Sequence, residues 1–294
     1  MADQSSQYDI RSIDIDKAAK GFADEDLHRI KNWLRQAKTQ SREIRWYQKT
    51  SGYIDTTDTT GITATGILTV EKAIPQVAEQ SWTRKTAYAQ HFMLDSPWFS
   101  EQDIMDNDVD LLLTNVRDLT RGVQHQEDVR AWNVLSENQS ASLLNTVAIT
   151  NEWDDYTNAT PVADVDSAKG KIRSYGYNPN KAILLLNDNE HSYLLNWIIS
   201  QKGSYMPQFA SSLVQGGVIE KFMGLQVEVD LNVTADYAMI FIPGLTAAWK
   251  ELIPITAVTM SEPGFGKKIR VWTDGEAILE HPKSGCLLSN VGPS

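Results

Sequence analysis

MDNDVDLLLTNVRDLTRGV, residues 105 to 123, carries the strongest periodic signal in this 294-residue chain. Apolar residues recur in it at alternating spacings of four and three: Met105, Val109, Leu112, Val116, Leu119 and Val123. This spacing places them on one face of an α-helix, and the acidic residues at its start suit the positive end of the helix dipole. We therefore predict one long amphipathic helix that runs to about Leu135. The stripe then reaches Gln126 and Arg130, so we do not expect a parallel coiled coil.

Downstream of this helix, the chain alternates between helical and strand patterns. We predict helices over 164–175 and over 188–200, the second capped by Asp188. The predicted strands cover residues 182–186, 225–231, 237–242, 253–260 and 267–279. The first four strands and the two helices form an α/β lobe, and the last strand should return from it to the long helix.

Upstream of the long helix the periodicity is weaker. Residues 1 to 22 show neither helical nor strand spacing and are interpreted as an extended or mobile arm, followed by a short helix that Asp24 caps. The predicted apolar face of that helix consists of Leu27, Ile30, Leu34 and Ala37. The stretch from 46 to 66 is rich in Thr, Gly, Asp and Ser and indicates a loop tip, with strands over 67–74 and 83–92. This two-stranded projection has too little core of its own and should rest on a neighbouring subunit.

Composition and charge exclude several classes of protein. The single cysteine, Cys286, excludes a disulfide framework and favours a reducing site of synthesis. Residues 1 to 16 lack the basic and apolar regions of a secretion signal, and the apolar runs are too short to span a membrane. A formal charge of -11 argues against a protein that grips nucleic acid. Only the first fifty residues are mildly basic, so any contact with nucleic acid should lie there.

The sequence shows no motif for catalysis or for a cofactor. The five histidines are scattered singly, without metal-site spacing, so we expect no metal. Cys286 is interpreted as a surface thiol rather than a nucleophile. Gly264 and Gly266 lack the third glycine of a dinucleotide fingerprint and indicate a hairpin turn, and the pair Asp154 and Asp155 is interpreted as part of a solvated loop. We predict no catalytic, cofactor-binding or metal-binding residue and no enzyme activity.

The order of these elements resembles the Hong Kong 97 fold of the major capsid proteins of tailed bacteriophages. An arm, an extended hairpin, a long helix, an α/β lobe and a returning strand follow one another as in that family. The stretches that resemble it are RKTAYAQHFMLDSPWFSEQDI (84 to 104), QEDVRAWNVLSEN (126 to 138), NATPVADVDSAKGKIRSYGYNPNKAILLLND (158 to 188), FMGLQVEVDLNV (222 to 233) and IRVWTDGEAILEHP (269 to 282). The resemblance spans about residues 44 to 285 and depends on the succession of elements, because no single motif is diagnostic.

The resemblance implies an α+β chain with four regions. Residues 1–43 would form the N-terminal arm, 44–92 the extended β-hairpin loop, and 160–262 a mixed α/β axial domain. The peripheral domain, with the long helix as its spine, would comprise residues 93–159 and 263–294. Residues Gly61, Gly66, Lys72 and Lys85 are the candidates for subunit contacts.

The resemblance also implies a function. The chain would assemble as pentamers and hexamers into an icosahedral shell around a double-stranded DNA genome. Assembly would take place in the host cytoplasm, and the chain would then be part of the virion capsid. Its partners would be copies of itself, a separate scaffold protein and a portal, with weak contact to packaged DNA and no membrane. Alternatives are an encapsulin-like nanocompartment shell, a phage tail or connector protein, and a monomeric α/β enzyme with an unrecognised site.

Overall fold

Helices and strands alternate in the computed structural model, which describes residues 12–24, 30–52, 82–100, 110–202, 217 and 219–293. The helices are α1 (Ser12–Asp24), α2 (Ile30–Trp33), α3 (Asp110–Leu135), α4 (Pro161–Ser174) and α5 (Asp188–Trp197). The strands are β1 (Arg35–Lys38), β2 (Glu43–Lys49), β3 (Trp82–Tyr88), β4 (Gln90–Asp95), β5 (Asn145–Ala148), β6 (Ile183–Leu186), β7 (Lys221–Phe222), β8 (Leu225–Val229), β9 (Tyr237–Phe241), β10 (Ala247–Glu262), β11 (Gly266–Leu279) and β12 (Cys286–Ser289). The chain is therefore α+β, as the sequence predicted.

The described strands form three sheets. One has the order β1-β10-β11-β4, one has the order β5-β12-β9-β6-β8-β7, and β2 pairs with β3 alone. The pairs β1/β10, β5/β12 and β6/β8 are parallel and the others are antiparallel. The long β10–β11 hairpin dominates the first sheet, and Gly264 lies in its turn as predicted, whereas Gly266 is the first residue of β11.

Helix α3 packs on the four-stranded sheet, which confirms the predicted long helix from Asp110 onward and the returning strand. Met105 and Val109 of the predicted stripe lie outside the described residues. Val116 and Val123 are fully buried and join a core cluster with Ile269 and Val271 of β11. Beyond Val123 the buried face of α3 continues as Gln124, Glu127, Asp128, Ala131, Trp132 and Leu135. The apolar stripe is lost from the sequence because this middle part of the buried face is polar, although the helical spacing persists.

Ion pairs satisfy the charged groups on this polar part of α3. Lys31 Nζ lies 2.8 Å from Glu127 Oε1, and Arg130 Nε lies 2.7 Å from the buried Glu276 carboxylate of β11. These pairs connect α2, α3 and the sheet. Because removing one partner would leave a buried charge without compensation, they hold the three elements in one arrangement.

The N-terminal region differs from its prediction. Residues 12–24 form helix α1, whose Ile15 and Ala19 are buried against α3 and β10, so this part is not an extended arm. Residues 25–29 of the predicted second helix lie outside the described residues, and its described part ends at Trp33 of α2. Asp24, its predicted cap, is the last residue of α1, and Ala37 lies in strand β1. Ile30 and Leu34 are buried as expected, whereas Leu27 lies outside the described residues. The interpretation was wrong for 12–22 because packing on α3 and β10, together with the hydrogen bond from the Ala257 backbone N–H to Asp16, stabilises a helix whose own sequence shows little periodicity.

The six-stranded sheet and helices α4 and α5 form the α/β lobe. Strand β6, with the sequence ILLL, is buried along its whole length at the centre of this sheet. The predicted helices and strands of this region are present, but the N-cap of α5 is Asn187, whose side chain accepts from the backbone N–H of Asn189, and not Asp188. The strand predicted over 253–260 lies within β10, which is longer than predicted at both ends.

The two larger sheets each contain strands from both the axial and the peripheral domain that the resemblance implied. Strand β10 falls within 160–262 but pairs with β11 in the four-stranded sheet. Strands β5 and β12, from the segments assigned to the peripheral domain, complete the six-stranded sheet of the lobe. The limits 1–43, 44–92, 93–159 with 263–294, and 160–262 stay a prediction.

Candidate subunit-contact surface

Strands β2 and β3 form a two-stranded ribbon beside the four-stranded sheet. Strand β3 was predicted within 83–92, but the strand ends at Tyr88, and its partner is β2. The partner predicted for it, 67–74, lies outside the described residues. Side chains alternate between the two faces of a strand, and directly opposed residues share a face. The register pairs Trp46 with Lys85 and Tyr47 with Arg84, so these pairs lie on opposite faces.

The inner face of the ribbon, defined by Ile44, Trp46 and Gln48, packs on the body of the protein. Ile44 is buried in a cluster with Ile278 of β11. The Trp46 Nε1–H and the Gln48 side-chain amide both donate to the backbone carbonyl of Leu279, each at 3.0 Å. The position of β2 is therefore fixed by apolar packing and by hydrogen bonds to the end of β11.

The base of the ribbon is held against the α/β lobe. The Lys49 backbone N–H donates to Glu280 O at 2.9 Å, and the Lys49 side chain is only 1% exposed. Burial lowers the pKa of Lys49, and its Nζ lies 5.7 Å from the centre of the Trp82 ring. Gly52 lies so close to Tyr175 that a Cβ there would be 2.5 Å from its carbonyl oxygen. These contacts fix both strands where the chain leaves for residues 53–81.

The outer face of the ribbon, defined by Arg45, Tyr47, Trp82, Arg84 and Tyr88, is exposed. Tyr47 is 64% exposed, Tyr88 57% and Trp82 48%, which are large values for aromatic side chains. The sequence interpretation did not single out these aromatic residues. The sequence feature that could have revealed them is the alternation of aromatic and polar residues. Whether these aromatic residues are exposed depends on which face of the ribbon packs on the body.

A second exposed aromatic pair lies at the tip of the β10–β11 hairpin. Trp98 and Phe265 meet edge to face with ring centres 5.3 Å apart, and Lys268 Nζ lies 5.3 Å from the Trp98 ring. Asp95 accepts hydrogen bonds from Arg270 and Lys268 beside this pair, which holds the pKa of its carboxyl well below its usual range. The tip is therefore a compact unit with an apolar outer surface.

The sequence-based contact candidates are only partly placed by the structure. Gly61, Gly66 and Lys72 lie outside the described residues. Lys85 lies on β3 with an exposed side chain, on the same face as Trp46. Their role in subunit contacts stays a prediction.

The titratable groups do not assemble into a reactive site within the described part of the chain. Cys286 is fully buried and not a surface thiol, and burial raises its pKa to about 12. His191 Nε2 accepts from the backbone N–H of Ile219, and His281 lies against Tyr177. Asp155 accepts from Asn158, in its own turn, so its pKa is lowered by local hydrogen bonds. Among the described residues, no three His, Cys, Asp or Glu side chains are grouped as metal ligands would be.

Comparison with known proteins finds similarity in structure only. No protein-family model matches the sequence, and no curated protein matches it significantly. A phage-related protein from Bordetella bronchiseptica RB50 superposes with a TM-score of 0.65 at 12% identity, over 95% of this chain and 97% of its own. The capsid of the cyanophage P-SCSP1u gives 0.64 at 9% identity, over 91% and 89%. The virus-like particle from Pyrococcus furiosus gives 0.61 at 12% identity, over 94% and 97%.

These similarities establish the fold. Matches that cover nearly the whole of both chains show that this protein has the fold of phage capsid and virus-like particle subunits, as its resemblance to the Hong Kong 97 group implied. Such identities are too low to carry residue roles across. None of the described helices is both long and apolar enough to cross a membrane.

Proposed function

We propose that this chain is the major capsid protein of a tailed bacteriophage or a related virus. Copies of it assemble as pentamers and hexamers into an icosahedral shell that encloses double-stranded DNA, and the shell forms in the host cytoplasm. The observation that carries this proposal is the match of the whole fold to capsid structures, over about nine tenths of the chain or more. The proposal includes no enzyme activity.

The proposal gives the ribbon and the loop it supports the role of contacting a neighbouring subunit. An isolated pair of strands has too little buried surface to be stable alone, and here the exposed residues of β2, Arg45 and Tyr47, lie on the face opposite Ile44 and Gln48, with only its end at Lys49 covered. Residues Gly61, Gly66, Lys72 and Lys85 are assigned to that contact. A separate scaffold protein and a portal complete the assembly, and the charge of -11 limits binding to the packaged DNA.

A second candidate is the shell of a cellular compartment that encloses protein cargo. The similarity to the Pyrococcus furiosus virus-like particle supports it, because that particle shares the fold over the same length. The two candidates share self-assembly and differ in what the shell contains.

Size-exclusion chromatography of the expressed protein, with negative-stain imaging of the excluded fraction, tests the proposal. Closed shells or rings of five and six subunits are expected, alone or with a co-expressed scaffold protein, and the nucleic acid content of purified shells separates the two candidates. A monomer under all of these conditions would contradict both.

A double variant, Gly61→Val with Gly66→Val, tests the role of the loop. It should leave the monomer folded by circular dichroism and reduce particle formation, because bulky β-branched residues restrict a turn-rich segment. Normal particles from this variant would remove the loop from the assembly contact.

A further inference from the structure

This inference rests on the proposed function and names the surface and the partner of one contact. We propose that the outer face of the ribbon docks on an acidic surface of a second copy of this chain, with Tyr47, Tyr88 and Arg84 as its principal contact residues.

The first argument is the composition of the outer face. Tyr, Trp and Arg are the residue types that dominate binding energy at protein interfaces, because they bury large areas and still make polar contacts. Here two tyrosines, a tryptophan and two arginines share one face, and the aromatic residues are about half exposed or more. A ribbon that served only to cover the body would have these residues on its inner face.

The second argument is the charge of the ribbon. Strands β2 and β3 contain four of the 27 Lys and Arg residues of the chain (Arg45, Lys49, Arg84 and Lys85) but only one acidic residue, Glu43. The remaining 23 Lys and Arg are outnumbered by 37 Asp and Glu, so the surface of any other copy is on average acidic. Opposite charges steer association and fix its orientation, which makes a second copy the occupant that fits.

The third argument concerns which of the two arginines of the outer face is available to a partner. Arg45 forms a two-pronged ion pair with Glu43 in its own strand, with Nε and Nη2 at 2.7 and 2.8 Å from the carboxylate oxygens. That carboxylate is therefore the hydrogen-bonded partner of Arg45. Arg84 forms no hydrogen-bonded ion pair with any described residue, although the Glu43 carboxylate attracts it at longer range, and it lies directly opposite Tyr47. It is therefore the cation of the outer face that remains available to a partner.

The fourth argument is that the face is pre-organised. The hydrogen bonds from Trp46 and Gln48 to Leu279 and the burial of Lys49 hold the ribbon in place before any partner arrives. Binding therefore has a small cost in conformational entropy, which favours a contact made repeatedly in a shell.

The control variant lies outside the proposed contact. Lys85 follows Arg84 in the same strand and is itself a candidate for subunit contact, so it does not serve as the control. Lys38 of β1 is an exposed cation outside the ribbon. Arg84→Glu and Lys38→Glu change the net charge of the chain equally and therefore form a matched pair that distinguishes the outer face from the net charge.

The experiment measures the fraction of subunits in particles by sedimentation, at fixed subunit concentration and at several salt concentrations. Arg84→Glu should lower this fraction about tenfold, while Lys38→Glu should stay within about twofold of the wild type. Equal losses from the two variants, or no loss from Arg84→Glu, would overturn the proposal while wild-type shells still supported the proposed function.

A second measurement covers the case in which Arg84→Glu fails to fold. A photoreactive phenylalanine analogue replaces Tyr88 in the full chain, which keeps an aromatic ring at that position. Irradiation should join it to an acidic peptide of a second copy, identified by mass spectrometry of chains mixed with an isotope-labelled population. Cross-links confined to one chain would refute the docking, whether or not the wild type forms shells.

Discussion

Replacing Gly275 with alanine tests whether the centre of the four-stranded sheet is packed as described. Gly275 lies in β11 between β10 and β4, facing the indole of Trp249. A Cβ at this position would lie 2.6, 2.8 and 2.9 Å from Cζ2, Cε2 and Nε1 of that ring. Because such atoms normally pack at about 3.5 to 4.0 Å, the ring or the strand must move by about 1 Å.

The surroundings of Trp249 resist this movement. Its side chain is fully buried, its ring stacks on Phe92 with centres 6.5 Å apart, and Lys31 Nζ lies 4.8 Å from its centre on another side. Overpacking of this kind costs about 1–3 kcal/mol. For a chain of this size, a loss of about 2 kcal/mol lowers the Tm by roughly 4–8 °C.

The assay is thermal unfolding of unassembled subunits, followed by circular dichroism, because assembly would itself raise the apparent Tm. Gly170→Ala is the matched control. Gly170 lies within α4, where a Cβ would have no atom within 4 Å, so alanine should stabilise the helix by about 0.5–1 kcal/mol. A Gly275→Ala variant as stable as the wild type would show that Trp249 does not fill the space beside β11.

The remaining predictions concern three titratable groups. Burial raises the pKa of Glu190, so its contribution to stability is full below its unfolded pKa of about 4.3 and is lost as the pH rises through the folded value. Glu190→Gln should therefore flatten the fall of the urea midpoint as the pH rises above about 4, and an unchanged slope would contradict this. The lowered pKa of Asp95 has the opposite sign: Asp95→Asn should cost at most about 1 kcal/mol at neutral pH, since the group is partly exposed, and progressively less as the pH falls below the unfolded pKa of about 3.9. Cys286 should not react with Ellman's reagent at pH 8 in the folded subunit and should react after unfolding, because burial raises its pKa to about 12; rapid reaction of folded protein would place the thiol at the surface.

Predictions succeeded where the core-facing residues were apolar and regularly spaced. The stripe through Val116 and Val123, the run of leucines in β6 and the alternation in β11 were each recognisable from local sequence, and each forms the expected element. Local periodicity is informative there because burial requires one apolar face.

Predictions failed where the partner of a segment decided its structure. Helix α1 has only a few buried apolar side chains, and it is stabilised by α3 and β10, which are distant in sequence. The middle of the buried face of α3 is polar because Glu127 pairs with Lys31 of α2 and Arg130 pairs with Glu276 of β11, and a pattern based on hydropathy does not register such pairs.

The amino-acid sequence by itself determined the class of fold, the order of its main elements and the lack of a recognisable catalytic motif, because these depend on spacing and residue type along the chain. Only the tertiary structure decided that β2 is the partner of β3, that Cys286 is buried, and that the aromatic residues of the ribbon face outward. These properties depend on which distant surface covers each segment. The outer face of the ribbon exists because Ile44, Trp46 and Gln48 are bound to the end of β11, and no local pattern in either strand specifies that contact.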